Sequence, residues 1–344
     1  MTTRFPGLID AHVHLREPGA THKEDFLTGS RAAAKGGVTF MIDMPNNMTP
    51  TISIERLDEK VALSNKAIID IGFHFGTNGQ NLEELPKAAA RSEVYGLKIY
   101  CNHTTGEMLI EDQSVLDAIF QAWPVGKPIL VHAEGEQLKQ SIARAKKFGQ
   151  RLHVCHITQA TEVEDVRVAK AEGLTITAGV CPHHLALTAE ARERMKGYAV
   201  MKPPLGTDDD QAALWAGLAD GTIDIVETDH APHSREEKEK DPPMFGVTGL
   251  ETSFGIIYKG VKEGKITQER LIDAMHTMPK KIFNTPDQGD TYIEVDTDAT
   301  WVVGAEGYET KAASSPFEGW ELPGKVMTVV LRGTTIVEEG KIII

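Results

Sequence analysis

His12 and His14 stand one residue apart in LIDAHVHLREPG, within an apolar run that reads as a strand. Alternate side chains of a strand share a face, so both imidazoles can reach one metal ion. Further along, single polar residues end short apolar runs: Lys98 in YGLKIY, His132 in PILVHAE, His156 in LHVCHI and Asp229 in IDIVETDHAPH. Ionisable groups on dry strands are costly unless paired or bound to metal, so the repetition says more than any single case. Several imidazoles with one carboxylate suit zinc or another borderline divalent ion, in a hydrolytic rather than a structural site. Asp229 has the chemistry of both a ligand and a base, taking a proton from attacking water and passing it to a leaving nitrogen. Lys98 can bridge a second ion only as a carbamate, formed when a neutral amine takes up carbon dioxide; burial of any lysine favours that neutral form. Arg16 is placed for bidentate binding of a substrate carboxylate, and Asn46 in MPNN adds an amide contact.

The residues are set on a βαβα beat. The strand candidates are FPGLIDAHVHL, GVTFMIDMP, AIIDIGFHFG, YGLKIY, PILVHA, RLHVCHI, LTITAGV and TIDIVETD, with helical patterns such as TEVEDVRVAKAEG between most of them. Eight such strands predict an α/β fold, a closed (β/α)8 TIM barrel. Its active site is expected at the strand C-terminal ends, where the polar residues fall. Two further helical patterns, LETSFGIIYKGVKEG and TQERLIDAMHTMPKKIF, follow. Beyond them, alternation in TYIEVDTDATWVV and TVVLRGTTIVEEGKIII predicts a small C-terminal β-appendage. The expected division is a barrel over residues 1–284 and a β segment over 285–344 packed on it.

The 344 residues are 41% hydrophobic and 25% charged, an ordinary globular composition. A net charge of −14 argues against nucleic-acid and anionic-membrane partners and calls for local cations if the substrate is an anion. Cys101, Cys155 and Cys181 form no C-x-x-C pair, which suits reduced thiols. The start MTTRFPGLID lacks signal-peptide character, so a cytoplasmic protein is expected. Plainer roles exist for each site residue taken alone: Lys98 snorkelling, Asp229 capping a turn, Arg16 pairing with Glu17 or Glu24, Asn46 in a turn. Cys155, His183 and His184 read as packing groups, and SREEKEKD at 234–241 as a solvated loop.

Together the motifs resemble the dihydroorotases, metal-dependent cyclic amidases of the amidohydrolase superfamily. The resemblance spans HVHLREPG at 12–19, THKEDF at 21–26, GGVT at 36–39, MPN at 44–46, GLKIY at 96–100, HAE at 132–134, CH at 155–156, PHHL at 182–185, DHAPH at 229–233 and GLET at 249–252. It implies one zinc held by His12, His14, carboxylated Lys98 and Asp229, and a second held by Lys98, His132 and His156. Arg16, Asn46 and His233 would bind substrate, together with Lys202 in MKPPLG, where relatives carry Asn or Arg, and Thr104 in a substrate-covering loop, CNHTTGEM. The implied reaction is reversible closure of N-carbamoyl-L-aspartate to L-dihydroorotate. A homodimer and association with aspartate transcarbamoylase are further implications. Cys155 resembles a ligand of an additional zinc, but Gly179 stands in place of that site's acidic partner, so no third metal is expected there. The alternatives are a hydantoinase or allantoinase-type amidase, which needs no carboxylate reader, and a noncatalytic scaffold partner of aspartate transcarbamoylase.

Overall fold

The computed structural model describes residues 2–103 and 108–344. The first apolar run divides into β1 (Thr2–Pro6) and β2 (Leu8–Val13); β3 (Val38–Asp43), β4 (Asp70–Gly76), β5 (Val94–Tyr100), β6 (Ile129–His132), β7 (Leu152–Val154), β8 (Ile176–Val180) and β9 (Ile225–Val226) follow. Strands β2 to β9 pair in chain order, all in parallel, as one eight-stranded sheet. Each barrel strand expected from the sequence is present. Such strands are covered on both faces, which is why β2 and β3 are buried at every position and read as continuous apolar runs. The wheel closes through a parallel bridge between Val13 and His230, where the His14 N–H donates to the His230 carbonyl at 2.8 Å.

Local chemistry starts the helices where the sequence places them. Asp25 and Thr28 form a reciprocal capping box ahead of Phe26–Lys35, and the Ser53 hydroxyl accepts from the Arg56 N–H to open Ile54–Leu63. The run SREEKEKD departs from the solvated loop expected of it. Ser234 and Glu237 cap a helical turn, Arg235–Glu239, whose Lys238 is buried. Its ammonium donates to the carbonyls of Val200, Met244 and Gly246 at 3.0, 2.9 and 2.5 Å. Burial, with Arg16 nearby, pulls Lys238 down to about 7.

After the barrel come β10 (Tyr292–Val302), β11 (Glu321–Leu331), β12 (Thr334–Glu338) and β13 (Lys341–Ile342). Their antiparallel sheet has the order β1-β10-β11-β12-β13, so it takes its first strand from the start of the chain. A boundary at residue 284 leaves that strand out. Thr2 lies opposite Asp296 and Phe5 opposite Ile293, so β10 satisfies backbone groups that β2 cannot reach. The buried Phe5 ring meets Phe254 edge-on at 5.4 Å.

A buried ion pair joins the exits of β2 and β3. Lys60 Nζ lies 2.7 Å from Asp43 Oδ2 and donates to the Met44 carbonyl and Asn47 Oδ1, while Asp43 Oδ1 accepts from the Leu15 N–H. Both side chains are fully buried. Removing one partner strands the other charge, so Lys60→Met should lower unfolding free energy by about 3–5 kcal/mol in urea titration. A loss under about 1 kcal/mol would show that Asp43 is neutral or re-paired.

Candidate metal centre and active-site cleft

The strand ends bring His12, His14, Lys98, His132, His156 and Asp229 together, each less than a tenth exposed. The Asp229 carboxylate lies between two rings, with Oδ1 at 3.3 Å from His12 Nε2 and 2.9 Å from His14 Nε2. The rings of His12 and His156 are 5.1 Å apart between centroids, and His132 Nδ1 is 3.0 Å from His156 Nε2. Lys98, fully buried on β5, points its ammonium at Cys155 Sγ, 3.1 Å away, and at the Tyr100 ring. Its charge bears on both His132 and His156. Backbone strain accompanies the cluster: His156, Asp229 and Arg16 hold φ of 37°, 46° and 63°. Such left-handed backbone costs on the order of 1–3 kcal/mol per non-glycine residue and persists only where neighbours fix it.

The donor set fits divalent metal. The Asn46 side-chain carbonyl lies 2.7 Å from His14 Nδ1 and accepts a hydrogen bond from its N–H. The Nε2 lone pair then faces the Asp229 carboxylate, and a cation between them removes the repulsion. His12 Nδ1, His132 Nε2 and His156 Nδ1 are buried and lack a hydrogen-bond partner among the described residues. Burial pulls His14 down to about 4; burial and the Lys98 charge pull His132 down to about 3. Both rings are therefore neutral near pH 7, as ligands must be. Burial works to raise the Asp229 carboxyl, but the neighbouring His12 and His14 outweigh it and hold the group below its usual range.

A narrow cleft opens over this cluster, lined in part by Arg16, Asn46, Tyr100, Lys202 and Phe245. Arg16 pairs with neither Glu17 nor Glu24. Glu17 binds Lys66 and the Phe26 N–H, and Glu24 contacts Thr28, Thr310 and the Lys311 N–H. Arg16 Nε instead donates to the Pro232 carbonyl at 3.1 Å, and its Nη2 lies 3.2 Å from His233 Nε2. His233 is buried behind Arg16, with Nε2 2.9 Å from the Phe245 carbonyl. Burial, then Arg16 and Lys23, lower it to about 3. The Lys202 ammonium sits 5.3 Å from the centre of the Phe245 ring. Gly246 completes the rim at φ 131°, where a Cβ would come within 2.5 Å of the Ala231 carbonyl. Thr104 lies outside the described residues.

Two buried groups at the centre were missed in the sequence. Tyr100 stands two residues past Lys98, hence on the same face of β5, and its hydroxyl has no partner among the described residues; the two-residue period was the available signal. Glu227 is the other. Its Oε1 accepts the His156 N–H at 2.6 Å and lies 3.6 Å from His12 Nδ1, and Oε2 approaches His153 Nε2 at 3.3 Å. A Cβ on Gly179 would be 2.5 Å from the Glu227 carboxyl, so the glycine leaves room for an acid arriving from another strand. His12, Cys155 and Glu227 have ligand atoms within 4.8 Å of one another.

Residues 3–336 match the model of the amidohydrolase family. Over 99% of its length the chain is 39% identical to multifunctional protein CAD of Squalus acanthias, of which it spans 15%. It is 35% identical to the dihydroorotase of Lactobacillus acidophilus, over 97% of this chain and 88% of that one. The solved L-hydantoinase (dihydropyrimidinase) of Arthrobacter aurescens superposes with a TM-score of 0.94 at 26% identity, covering 100% of this chain and 87% of the other. Barrel, strand-end histidines and whole-length similarity agree: the chain belongs to the amidohydrolase family, in its dihydroorotase group.

Proposed function

We propose that this chain is a zinc-dependent dihydroorotase, interconverting N-carbamoyl-L-aspartate and L-dihydroorotate in the synthesis of pyrimidines. Arg16 carries the reading. Its guanidinium lines the cleft above the histidine cluster and hydrogen-bonds a carbonyl and an imidazole rather than a carboxylate. In a chain of net charge −14, a cation so placed suits a substrate anion, for which a neutral-ring amidase has no need.

His12, His14 and Asp229 would hold one zinc, His132 and His156 a second, and a carboxylated Lys98 would serve both. Metal bound there would supply an acidified water and a polarised ring carbonyl. Lys98 supports this assignment, since a buried ammonium facing a thiol and a ring face has poor acceptors and a carbamate turns that end into an acceptor. Arg16 grips the substrate carboxylate, with Lys202 adding charge from beside Phe245, while Asn46 holds the His14 ring in its metal-ready tautomer. In hydrolysis the water oxygen bonds to the ring carbonyl carbon, Asp229 takes its proton, and the proton passes to the ring nitrogen as the C–N bond breaks. Cyclisation retraces the path. The same reading carries a cytoplasmic homodimer able to associate with aspartate transcarbamoylase.

Similarity to the hydantoinase over the whole chain favours a second reading, cyclic-amide hydrolysis without a substrate carboxylate. Purified protein with its metal quantified should turn over dihydroorotate and carbamoyl-aspartate with about two zinc per chain bound at the six clustered residues. Metal with turnover only of allantoin or a substituted hydantoin would select the second reading, and neither metal nor turnover after zinc reconstitution would select the scaffold. Arg16→Lys keeps the charge but loses the fork, so KM for carbamoyl-aspartate should rise on the order of 10- to 100-fold, with metal content unchanged. An unchanged KM would take Arg16 out of substrate binding. Lys98→Ala should lose metal and turnover together and recover part of both with added short carboxylic acids; full activity without them would remove the carbamate.

A further inference from the structure

The ends of β2, β5, β6, β7 and β9 lead to the six residues of the candidate centre, whereas β8 leads to none of them. It runs instead into Cys181-Pro182-His183-His184, and Cys181 caps the short helix Pro182–Ala186. Ligand atoms of Cys181, His183 and His184 lie within 4.8 Å of one another, and the residues are 0%, 1% and 2% exposed. The two rings are 4.3 Å apart between centroids. His184 Nε2 donates to the Pro203 carbonyl at 3.2 Å, which leaves a lone pair on Nδ1. That Nδ1 is buried with no partner among the described residues, and so is His183 Nε2. Orphaned imidazole nitrogens at such depth are expensive. A ring that gives one N–H to a backbone carbonyl and keeps its other nitrogen bare is arranged as metal-ligating histidines are.

We propose that Cys181, His183 and His184 form a further metal site for a borderline, thiophilic divalent ion such as zinc, sharing no ligand with the candidate centre. One sulfur and two imidazoles favour such an ion over magnesium or calcium. Donors on one tetrahedral zinc lie about 3.5 Å apart, so side-chain rotation closes the remaining gap. The Cys181 thiol releases its proton to solvent as the sulfur binds. Through the His184 bond to Pro203, an ion here would stiffen the turn that carries Lys202 into the cleft.

The full-length chain loaded with cobalt should show a sulfur-to-cobalt charge-transfer band in the near ultraviolet. The band should vanish in Cys181→Ser and persist in Cys155→Ser, which reports on the neighbouring His12–Cys155–Glu227 group. Loaded with zinc, Cys181→Ser and His184→Gln should each carry about one equivalent less than the unsubstituted chain by elemental mass spectrometry. The site is refuted by absence of the band in the unsubstituted chain, which needs no variant to fold. Loss of the band on Cys155→Ser alone, or unchanged zinc in both ligand variants, refutes it equally.

Discussion

The backbone hydrogen bond from the His14 amide to the His230 carbonyl is the seam on which the candidate centre depends. Strand β9 spans only Ile225–Val226, too short to pair with β2 along its length, so closure falls to the bridge between Val13 and His230. That bridge draws the residue before His230 against β2, and the residue is Asp229. Its left-handed backbone is held because His230 is fixed by its side chain as well: Nδ1 accepts the Gly249 N–H at 3.2 Å and Nε2 lies 3.4 Å from Glu24. The fold thus meets the cost of bending at Asp229 with bonds made by its neighbour.

Around the histidines lies a layer of buried charge. Asp43 with Lys60 ties the loop after β2 to the loop after β3, so His14, Arg16 and Asn46 move as one unit. Lys238 gathers three carbonyls, among them that of Gly246 at the rim of the cleft. Burial works to raise the Glu227 carboxyl, but His12 and His153 hold it well below its usual range. It remains an anion in contact with a ring of the candidate centre. The absence of a side chain at Gly179 on β8 makes room for this carboxyl arriving from past β9.

Much of this was legible because barrel chemistry repeats. Each of the eight barrel strands is a short apolar run, and the six clustered residues stand as polar groups within such a run or no more than three residues past its end. What stayed hidden depends on where side chains travel in space. Glu227 and Asp229 are equally polar letters in VETD, and only the fold aims one at the His156 amide and the other at His14. Lys238 sits among charged residues in SREEKEKD, a composition typical of solvated surface, until three carbonyls converge on its amine. The first strand read as one run because Gly7, where the chain passes between sheets, interrupts no hydrophobic pattern. A Cβ there would come within 2.4 Å of the Thr39 hydroxyl, a close approach visible only after folding.

Pairing of β1 with β10 also sets an order on biosynthesis. Arg4 meets Glu294 across 290 residues, so β1 leaves the ribosome long before its partner β10 is made. Every residue of the histidine and aspartate cluster has been translated by then. A nascent chain halted before Tyr292 would own its whole candidate centre while Thr2–Pro6 waited for its partner strand, a long-range closure of the kind that slows folding.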